Sequence, residues 1–158
     1  MPELRELLAG AGFDDVRTYL QSGNVVLESE LAPDELERNV EHLIEQQLAL
    51  AMTVIARTRD ELADVVERNP LGGVADNPKR HQVSFLRDEL DPAVAEKLQD
   101  AATPSEHVVI DGREIFAWHP DGVARSKLWG RLAGKDLGVA ATARNWTTVT
   151  TLLQMADE

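Results

Sequence analysis

The stretch Tyr19-Leu20-Gln21-Ser22-Gly23-Asn24-Val25-Val26 decides the fold, because it reads as two short β-strands joined by a tight polar turn. Its central Gly-Asn pair tolerates positive φ, as a hairpin turn requires. Val16 and Tyr19 lie before the turn and residues 25–27 follow it, which supplies apolar positions to both strands. The stretch therefore predicts an antiparallel hairpin near the beginning of the sequence.

Helices are predicted on both sides of this hairpin. Pro2 suits the first turn of a helix, and Gly12 is well placed to end it. Thr58 followed by Glu61 is the sequence signature of a capping box, which predicts a helix over 58–68. The other elements predicted in this half are a long helix over 32–50 and a short apolar strand over 52–56.

A second pattern of strands and helices begins after a turn-rich stretch over 71–80. Asp91 and Pro92 form the start signal of a helix. Asp111-Gly112 is the strongest hairpin signal in the sequence. The elements predicted here are strands over 82–86, 107–110 and 114–118 and helices over 91–101, 126–132 and 145–155.

This order of elements predicts an α+β fold made of two ferredoxin-like halves, with helices packed on antiparallel sheets. The first half is expected over 1–70 and the second over 81–158, with 71–80 as the linker between them. The first half would match the second if one strand preceded Pro2. That strand is therefore expected to be missing from the first half.

Composition sets limits on function. Hydrophobic residues make up 43% of the 158 residues, which is enough for a core, and aromatic residues only 4%, so the core should be aliphatic. The sequence has no cysteine, which excludes disulfides, thiolate catalysis and Cys-ligated zinc. No apolar run approaches the roughly 20 residues that span a bilayer, and no signal-peptide pattern occurs. A soluble cytoplasmic protein without a membrane partner is the expectation.

The charge is unevenly distributed. The net charge is −12, and residues 1–100 hold ten Lys and Arg against 21 Asp and Glu. Residues 122–146 hold five Lys and Arg against one Asp. This basic island is either a pair of solvated helix faces or a site for phosphate or another anion.

Four segments, in this order, resemble the DUF1697 proteins, a family of unknown function. They are Gly12-Phe13, residues 16–26, Gly122 with residues 125–128, and residues 142–149. The resemblance covers nearly the whole chain and implies a fold without implying a reaction. It also implies an earlier apolar strand and a Gly-rich loop, which have no counterpart in this sequence. We therefore expect either a true start upstream of Met1 or a strand supplied by another chain, as in a homo-oligomer.

Polar groups in the hairpin turn form the first candidate ligand site. Gln21, Ser22 and Asn24 carry amides and a hydroxyl, which both donate and accept hydrogen bonds and so suit a sugar, a base or a peptide. The alternative is that Asn24 adopts the left-handed turn conformation and that Gln21 caps backbone groups. In that case the motif only stabilises the turn.

Two basic segments form the second part of the candidate site. Ser126 between Arg125 and Lys127 would place a helix N-terminus beside two cations, which favours an anion. Arg144 offers a planar fork for carboxylate or phosphate, while Asn145 and Trp146 open the last helix. The alternatives are a capped surface helix at Ser126, and a core position for Trp146 with Asn145 as a cap.

The first hypothesis is therefore a protein that binds a small anionic or nucleotide-like ligand. The second is an enzyme acting on a phosphorylated small molecule, for which Ser126 beside Lys127 is a weak candidate nucleophile. The third is a nucleic-acid-contacting module, which the acidic remainder and the scarce aromatic residues oppose. The fourth is that the motifs only determine the fold. The four histidines lack paired metal-ligand spacing, so neither a metal nor a cofactor is expected.

Overall fold

The computed structural model describes residues 2–19, 23–73, 77–120, 128 and 137–157. These residues contain helices and antiparallel strands, which confirms the α+β class. The helices are α1 (Pro2–Gly10), α2 (Pro33–Leu48), α3 (Arg59–Arg68), α4 (Pro92–Ala101) and α5 (Trp146–Ala156). The strands are β1 (Asp14–Tyr19), β2 (Asn24–Glu28), β3 (His81–Leu86), β4 (His107–Asp111), β5 (Glu114–Trp118) and β6 (Ala141–Asn145).

The chain divides into two compact units. Unit 1 comprises Met1–Leu62 and Thr151–Glu158, and unit 2 comprises Ala63–Thr150. The division falls within α3 and α5, upstream of the predicted linker over 71–80 in the first case. No described helix combines the length and the apolar character needed to cross a membrane.

Unit 1 contains the predicted hairpin. β1 and β2 pair antiparallel, with Tyr19 opposite Asn24 on either side of the turn, and Gly23 adopts a φ of +84°. An apolar cluster joins α1 and α2, because both helices direct leucine, valine or isoleucine side chains toward it. Its buried members are Leu4, Leu8, Val40 and Ile44, and partly buried side chains from the hairpin, among them Val25 and Leu27, pack against it.

Gly12 ends α1 as the sequence predicts. Its φ is +98°, and its N–H donates to the Ala9 carbonyl while the Phe13 N–H donates to the Leu8 carbonyl, both at 3.2 Å. These two bonds form a Schellman motif, in which glycine is favoured because it reaches positive φ without steric cost. Phe13 and Leu8 both belong to the apolar cluster, so the motif also directs the chain back onto the core.

The capping box at the start of α3 is also confirmed. The Thr58 N–H donates to Glu61 Oε1 at 2.8 Å, and the Glu61 N–H donates to Thr58 Oγ at 3.1 Å. Two backbone donors at the helix start are thereby satisfied by two side chains only three residues apart.

The strand predicted over 52–56 is wrong, because these residues form no strand in the structure. The N–H of Val54 donates to Glu41 Oε2 at 3.1 Å, and the N–H of Ala56 donates to Glu37 Oε2 at 2.8 Å. Carboxylates from α2 therefore satisfy backbone donors that a neighbouring strand would satisfy in a sheet. The apolar spacing is nonetheless used, since Val54 packs against the cluster of unit 1.

Unit 2 contains a four-stranded sheet in the order β4-β5-β3-β6, and all neighbouring strands are antiparallel. With α4 between β3 and β4, this is the strand order of a split β-α-β-β-α-β unit. Every residue of the central strand β3 is buried. One apolar cluster of unit 2 consists of Leu86, Leu98, Ile115, Ala117, Leu128 and Leu137, and the alternate strand residues Val83, Phe85 and Phe116 are buried on the other face of the sheet.

Local signals in unit 2 also act as predicted. Asp91 caps α4, since its Oδ1 accepts from the Ala93 N–H at 2.9 Å. Gly112 adopts a φ of +59° in the turn between β4 and β5. The helix predicted over 126–132 lies outside the described residues, apart from the buried Leu128.

Candidate functional site

Asn24 has a structural role in the hairpin of unit 1. Its side chain is buried, and Nδ2 donates to the Tyr19 carbonyl at 3.0 Å across the turn. This bond ties the two ends of the turn together. The other two candidate residues of the turn, Gln21 and Ser22, lie outside the described residues, so their part in a site stays a prediction.

The second candidate segment also lies outside the described residues. It comprises Arg125, Ser126 and Lys127, and its anion site stays a prediction. The remaining candidate residues, Arg144 and Asn145, lie together at the end of β6.

Arg144 lies in β6, the last strand in the described order of the sheet in unit 2, and it is opposite Val83 of β3. Its side chain is partly buried, and Nη1 donates to Thr142 Oγ1 at 2.5 Å and to the Ala143 carbonyl at 2.8 Å. These bonds fix the guanidinium against its own strand. Burial lowers the pKa of Arg144, because it removes water from the charged form.

Asn145 precedes the last helix and caps its N-terminus. Its Oδ1 accepts a hydrogen bond from the Thr148 N–H at 2.9 Å, which is the bond that a helix N-cap makes. The side chain is therefore used by α5. The same arrangement positions Trp146 as the first residue of α5, and its N–H donates to the Pro78 carbonyl at 3.2 Å.

His81 also lies in this region, although the sequence alone did not single it out. His81 stacks on Trp146, with ring centroids 4.5 Å apart and planes 10° from parallel. His81 is only 2% exposed, and its Nε2 has no hydrogen-bond partner among the described residues. Burial lowers the pKa of His81 to about 4, so its imidazole is neutral at pH 7.

His81 and Arg144 share one face of the sheet. His81 lies two residues before Val83, which is the strand partner of Arg144, and alternate residues of a strand point to the same side. Diagonal neighbours of this kind are roughly 7–8 Å apart. The region formed by His81, Thr142, Arg144 and Trp146, here called the Arg144 face, is the candidate site. A histidine at the start of an apolar strand is too common to have been singled out from sequence.

A second buried polar group lies on the opposite face of the sheet. His119 is fully buried, and its Nδ1 lies 2.5 Å from Glu106 Oε2 while its Nε2 lies 3.2 Å from Gln82 Oε1. The side chain of Glu106 is 4% exposed and Gln82 is also buried, so this chain of bonds connects three strand ends inside the unit. Its enclosure indicates a role in the fold.

Arg68 differs from Arg144 because its guanidinium is surrounded by carboxylates. It contacts carboxylates of Glu114 and Asp111 at 2.6 Å and of Asp64 at 2.7 Å. Burial acts to lower the pKa of Arg68, but hydrogen bonds to the three carboxylates outweigh it, and the pKa is raised. Since acidic groups already surround this cation, it is a poor candidate for binding an external anion.

A metal ion needs several donor side chains close together in the part of the chain that the structure describes. No group of three or more His, Cys, Asp or Glu side chains in that part is arranged to hold a metal ion. The chemistry that the described residues offer at the Arg144 face is therefore that of a fixed cation, a neutral imidazole and an indole ring.

Comparisons with known proteins identify the fold and leave the activity open. Residues 1–116 match the family described as "Protein of unknown function (DUF1697)". Among solved structures, the chain is similar to the conserved bacterial protein SP0830 from Streptococcus pneumoniae, with a TM-score of 0.74 and 19% sequence identity. The similarity covers 99% of this chain and 88% of that chain. A comparison with curated proteins found no match.

Proposed function

This chain belongs to the DUF1697 family of unknown function, and we propose that its Arg144 face binds a small anionic or nucleotide-like ligand. The family description supplies no reaction, so the proposal depends on the residues themselves. The observation that carries it is the partly buried guanidinium of Arg144, held against its own strand on the same face as a buried imidazole.

The electrostatic argument begins with desolvation. Burial of Arg144 costs free energy because the charged group loses water, and this cost is what lowers its pKa. An anion placed beside the guanidinium would restore part of that interaction, and a planar fork suits the paired oxygens of a phosphate or a carboxylate. Thr142 supports the arrangement, since its hydroxyl holds Nη1 at 2.5 Å.

His81 and Trp146 support the nucleotide-like part of the proposal. The neutral imidazole has a buried Nε2 that a ligand oxygen or nitrogen could satisfy. Trp146 is partly exposed and stacks on His81, so its indole offers an aromatic surface on the same face as the cation. A ligand with an anionic end and a ring would use all three groups.

The basic segment Arg125-Ser126-Lys127 belongs to the same proposal. Arg125 and Lys127 would add positive charge around the anion, and Ser126 would add a hydroxyl or a helix N-terminus. The prediction that Gln21 and Ser22 bind a ligand through their amide and hydroxyl groups stays separate from the Arg144 face, because both residues belong to unit 1. Asn145 already caps a helix, so we expect it to contribute through the shape of its segment, whereas Asn24 holds a turn in unit 1.

The test is a thermal-shift screen at constant ionic strength with inorganic phosphate, nucleoside phosphates, sugar phosphates and dicarboxylates. A ligand at 100 times its Kd stabilises the folded state by about 2.7 kcal/mol. We expect such a ligand to raise the Tm of the wild type and to lose this effect in Arg144→Ala. Arg38→Ala is the matched control, because the Arg38 side chain is 72% exposed on α2.

The variants also separate the parts of the site. Arg144→Lys keeps the charge and removes the planar fork, so it should bind phosphate but lose preference for ligands that need two parallel hydrogen bonds. Arg125→Ala and Lys127→Ala should weaken anion binding further. A ligand that stabilises Arg144→Ala as strongly as the wild type would contradict the proposal.

A further inference from the structure

The turn between β4 and β5 contains the dipeptide Asp111-Gly112, and an Asp-Gly pair can rearrange without an enzyme. The backbone nitrogen of the glycine attacks Cγ of the aspartate. A C–N bond forms, a C–O bond breaks, and the oxygen leaves as water with the amide proton and the proton of the carboxyl group. Water then opens the resulting cyclic succinimide at either carbonyl, which gives back aspartate or gives isoaspartate, so water is the only other reactant.

The local structure of the turn gives this reaction room. Gly112 is the first of the two residues between β4 and β5, and its φ is +59°, as the first position of a type II′ hairpin turn requires. A Cβ at this position would meet nothing within 4 Å, and the side chain of Asp111 is 54% exposed. Water therefore reaches the turn, and no side chain on the glycine hinders the attack of its nitrogen.

The carboxylate of Asp111, in contrast, is held by Arg68 at the end of α3. Nη1 of Arg68 donates to Asp111 Oδ2 and Nη2 donates to Glu114 Oε1, both at 2.6 Å. Asp111 and Glu114 are directly opposite each other in the β4–β5 pair, so one guanidinium lies between two like charges that would otherwise repel. The side chain of Glu114 is only 8% exposed, and this contact therefore fixes the guanidinium at the protein surface beside the turn.

The contact with Arg68 opposes the rearrangement because ring closure needs a different side-chain position. The Asp111 side chain must rotate about its Cα–Cβ bond until Cγ reaches the Gly112 nitrogen. The short, charge-assisted hydrogen bond to a fixed guanidinium holds the carboxylate in one position, so this rotation costs the free energy of that bond. The Asp111-Gly112 pair thus combines a reactive sequence with a side chain that the tertiary structure restrains.

We propose that Asp111-Gly112 is a site of isoaspartate formation in this protein and that Arg68 slows the reaction in the folded state. Isoaspartate would lengthen the main chain by one carbon at the end of β4 and would place the free carboxylate on Cα, out of register with Arg68. The modification would therefore break the contact between α3 and the β4–β5 hairpin. All these residues belong to unit 2, and the proposal does not depend on a ligand at the Arg144 face.

The test keeps the 158-residue chain folded at neutral pH, well below its Tm, and follows isoaspartate by peptide mapping. Electron-transfer fragmentation distinguishes isoaspartate from aspartate, which has the same mass. We expect Arg68→Gln to form isoaspartate at residue 111 about three to five times faster than the wild type, which corresponds to the upper range for an exposed ion pair. Asp64→Asn is the matched control, because it removes another ion pair of Arg68 and keeps the contact with Asp111, so its rate should equal that of the wild type.

A second Asp-Gly pair, at residues 121–122, lies outside the described residues and provides an internal reference. Its rate should be the same in the wild type and in Arg68→Gln. In urea, where the contact with Arg68 is lost, residue 111 should react faster than in the folded wild type and equally fast in both chains.

Urea denaturation of each variant separates this effect from a loss of stability, because it gives the fraction of unfolded chain. An increase at residue 111 that the unfolded fraction accounts for would overturn the proposal, as would an equal increase in Asp64→Asn. Equal rates in the wild type and Arg68→Gln, or no isoaspartate at residue 111 in either chain, would also overturn it. None of these results bears on anion binding, which the thermal-shift screen with Arg144→Ala tests separately.

Discussion

At the scale of single residues, the imidazole of His81 has the most informative environment. It is 2% exposed and lies against the indole of Trp146, and burial lowers its pKa to about 4. The unfolded chain would bind a proton on this side chain near pH 6.5, whereas the folded chain would not. The unfolded state therefore binds more protons between pH 6.5 and 4, and the free energy of unfolding falls as the pH falls through this window.

We predict that protonation of His81 in the unfolded state lowers the free energy of unfolding of the wild type by about 2 kcal/mol between pH 7 and pH 5. The decrease is about 1.4 kcal/mol per pH unit below pH 6.5. His81→Phe should lose that part of the pH dependence, because phenylalanine can still stack on Trp146 without titrating. Urea unfolding at the two pH values measures the difference. His42→Phe, which changes an exposed histidine on α2, serves as the control. An unchanged pH dependence in His81→Phe would show that His81 is accessible to protons in the folded state.

Two of the arginines in unit 2 show why residue type alone does not identify an anion site. Arg68 ends α3 and Arg144 lies in β6, and both are within hydrogen-bond reach of oxygen atoms. Arg68 faces three carboxylates, whereas Nη1 of Arg144 donates to the Thr142 hydroxyl and to the Ala143 carbonyl. The charge of the neighbours therefore decides whether an added anion would gain free energy.

At the scale of elements, the end of α1 depends on one glycine. Gly12 has a φ of +98°, whereas Gly10 is the last residue of the helix and does not have a positive φ. A Cβ at either position meets nothing within 4 Å. The two glycines therefore differ in backbone conformation and share an open environment.

This pair gives a matched prediction. Gly12→Ala should lower the free energy of unfolding by about 1–2 kcal/mol, because an L-residue is strained in the left-handed region. Gly10→Ala should leave it unchanged or raise it by up to about 1 kcal/mol, because alanine favours the helix. Urea denaturation of the two variants measures both effects. Equal effects of the two substitutions would mean that the Schellman motif contributes little to stability.

Elements that depend on neighbouring residues could be predicted from the sequence. The strand wrongly predicted over 52–56 shows why other elements could not. The capping box of Thr58 and Glu61, the Asp91 cap and the Gly112 turn involve groups at most three residues apart. The strand predicted over 52–56 needed a neighbouring strand that the described part of unit 1 lacks. Side chains of α2, 13 and 19 residues away, satisfy its backbone instead.

At the scale of the whole molecule, the net charge of −12 affects stability through repulsion among like charges. We predict that raising NaCl from 10 to 150 mM increases the Tm by on the order of 2–4 °C, because the screening length falls from about 30 to about 8 Å. Thermal unfolding followed by circular dichroism measures this change.

A variant that carries both Glu45→Gln and Glu67→Gln tests the cause of that response. Both glutamates are exposed, so the substitutions reduce the net charge with little effect on the core. The variant should show a higher Tm at 10 mM NaCl and a smaller increase with salt. A response as large as that of the wild type would point to a bound ion in place of general screening.

The sequence by itself determined the α+β class, the helix caps and the two hairpins, because each depends on periodicity or on groups a few residues apart. It also indicated the family, although the family description supplies no activity. Only the tertiary structure decided that His81 lies against Trp146 and that Arg68 faces carboxylates while burial desolvates Arg144. These contacts join residues that are distant in the chain. The order of the strands brings them together, and this order cannot be predicted from local periodicity.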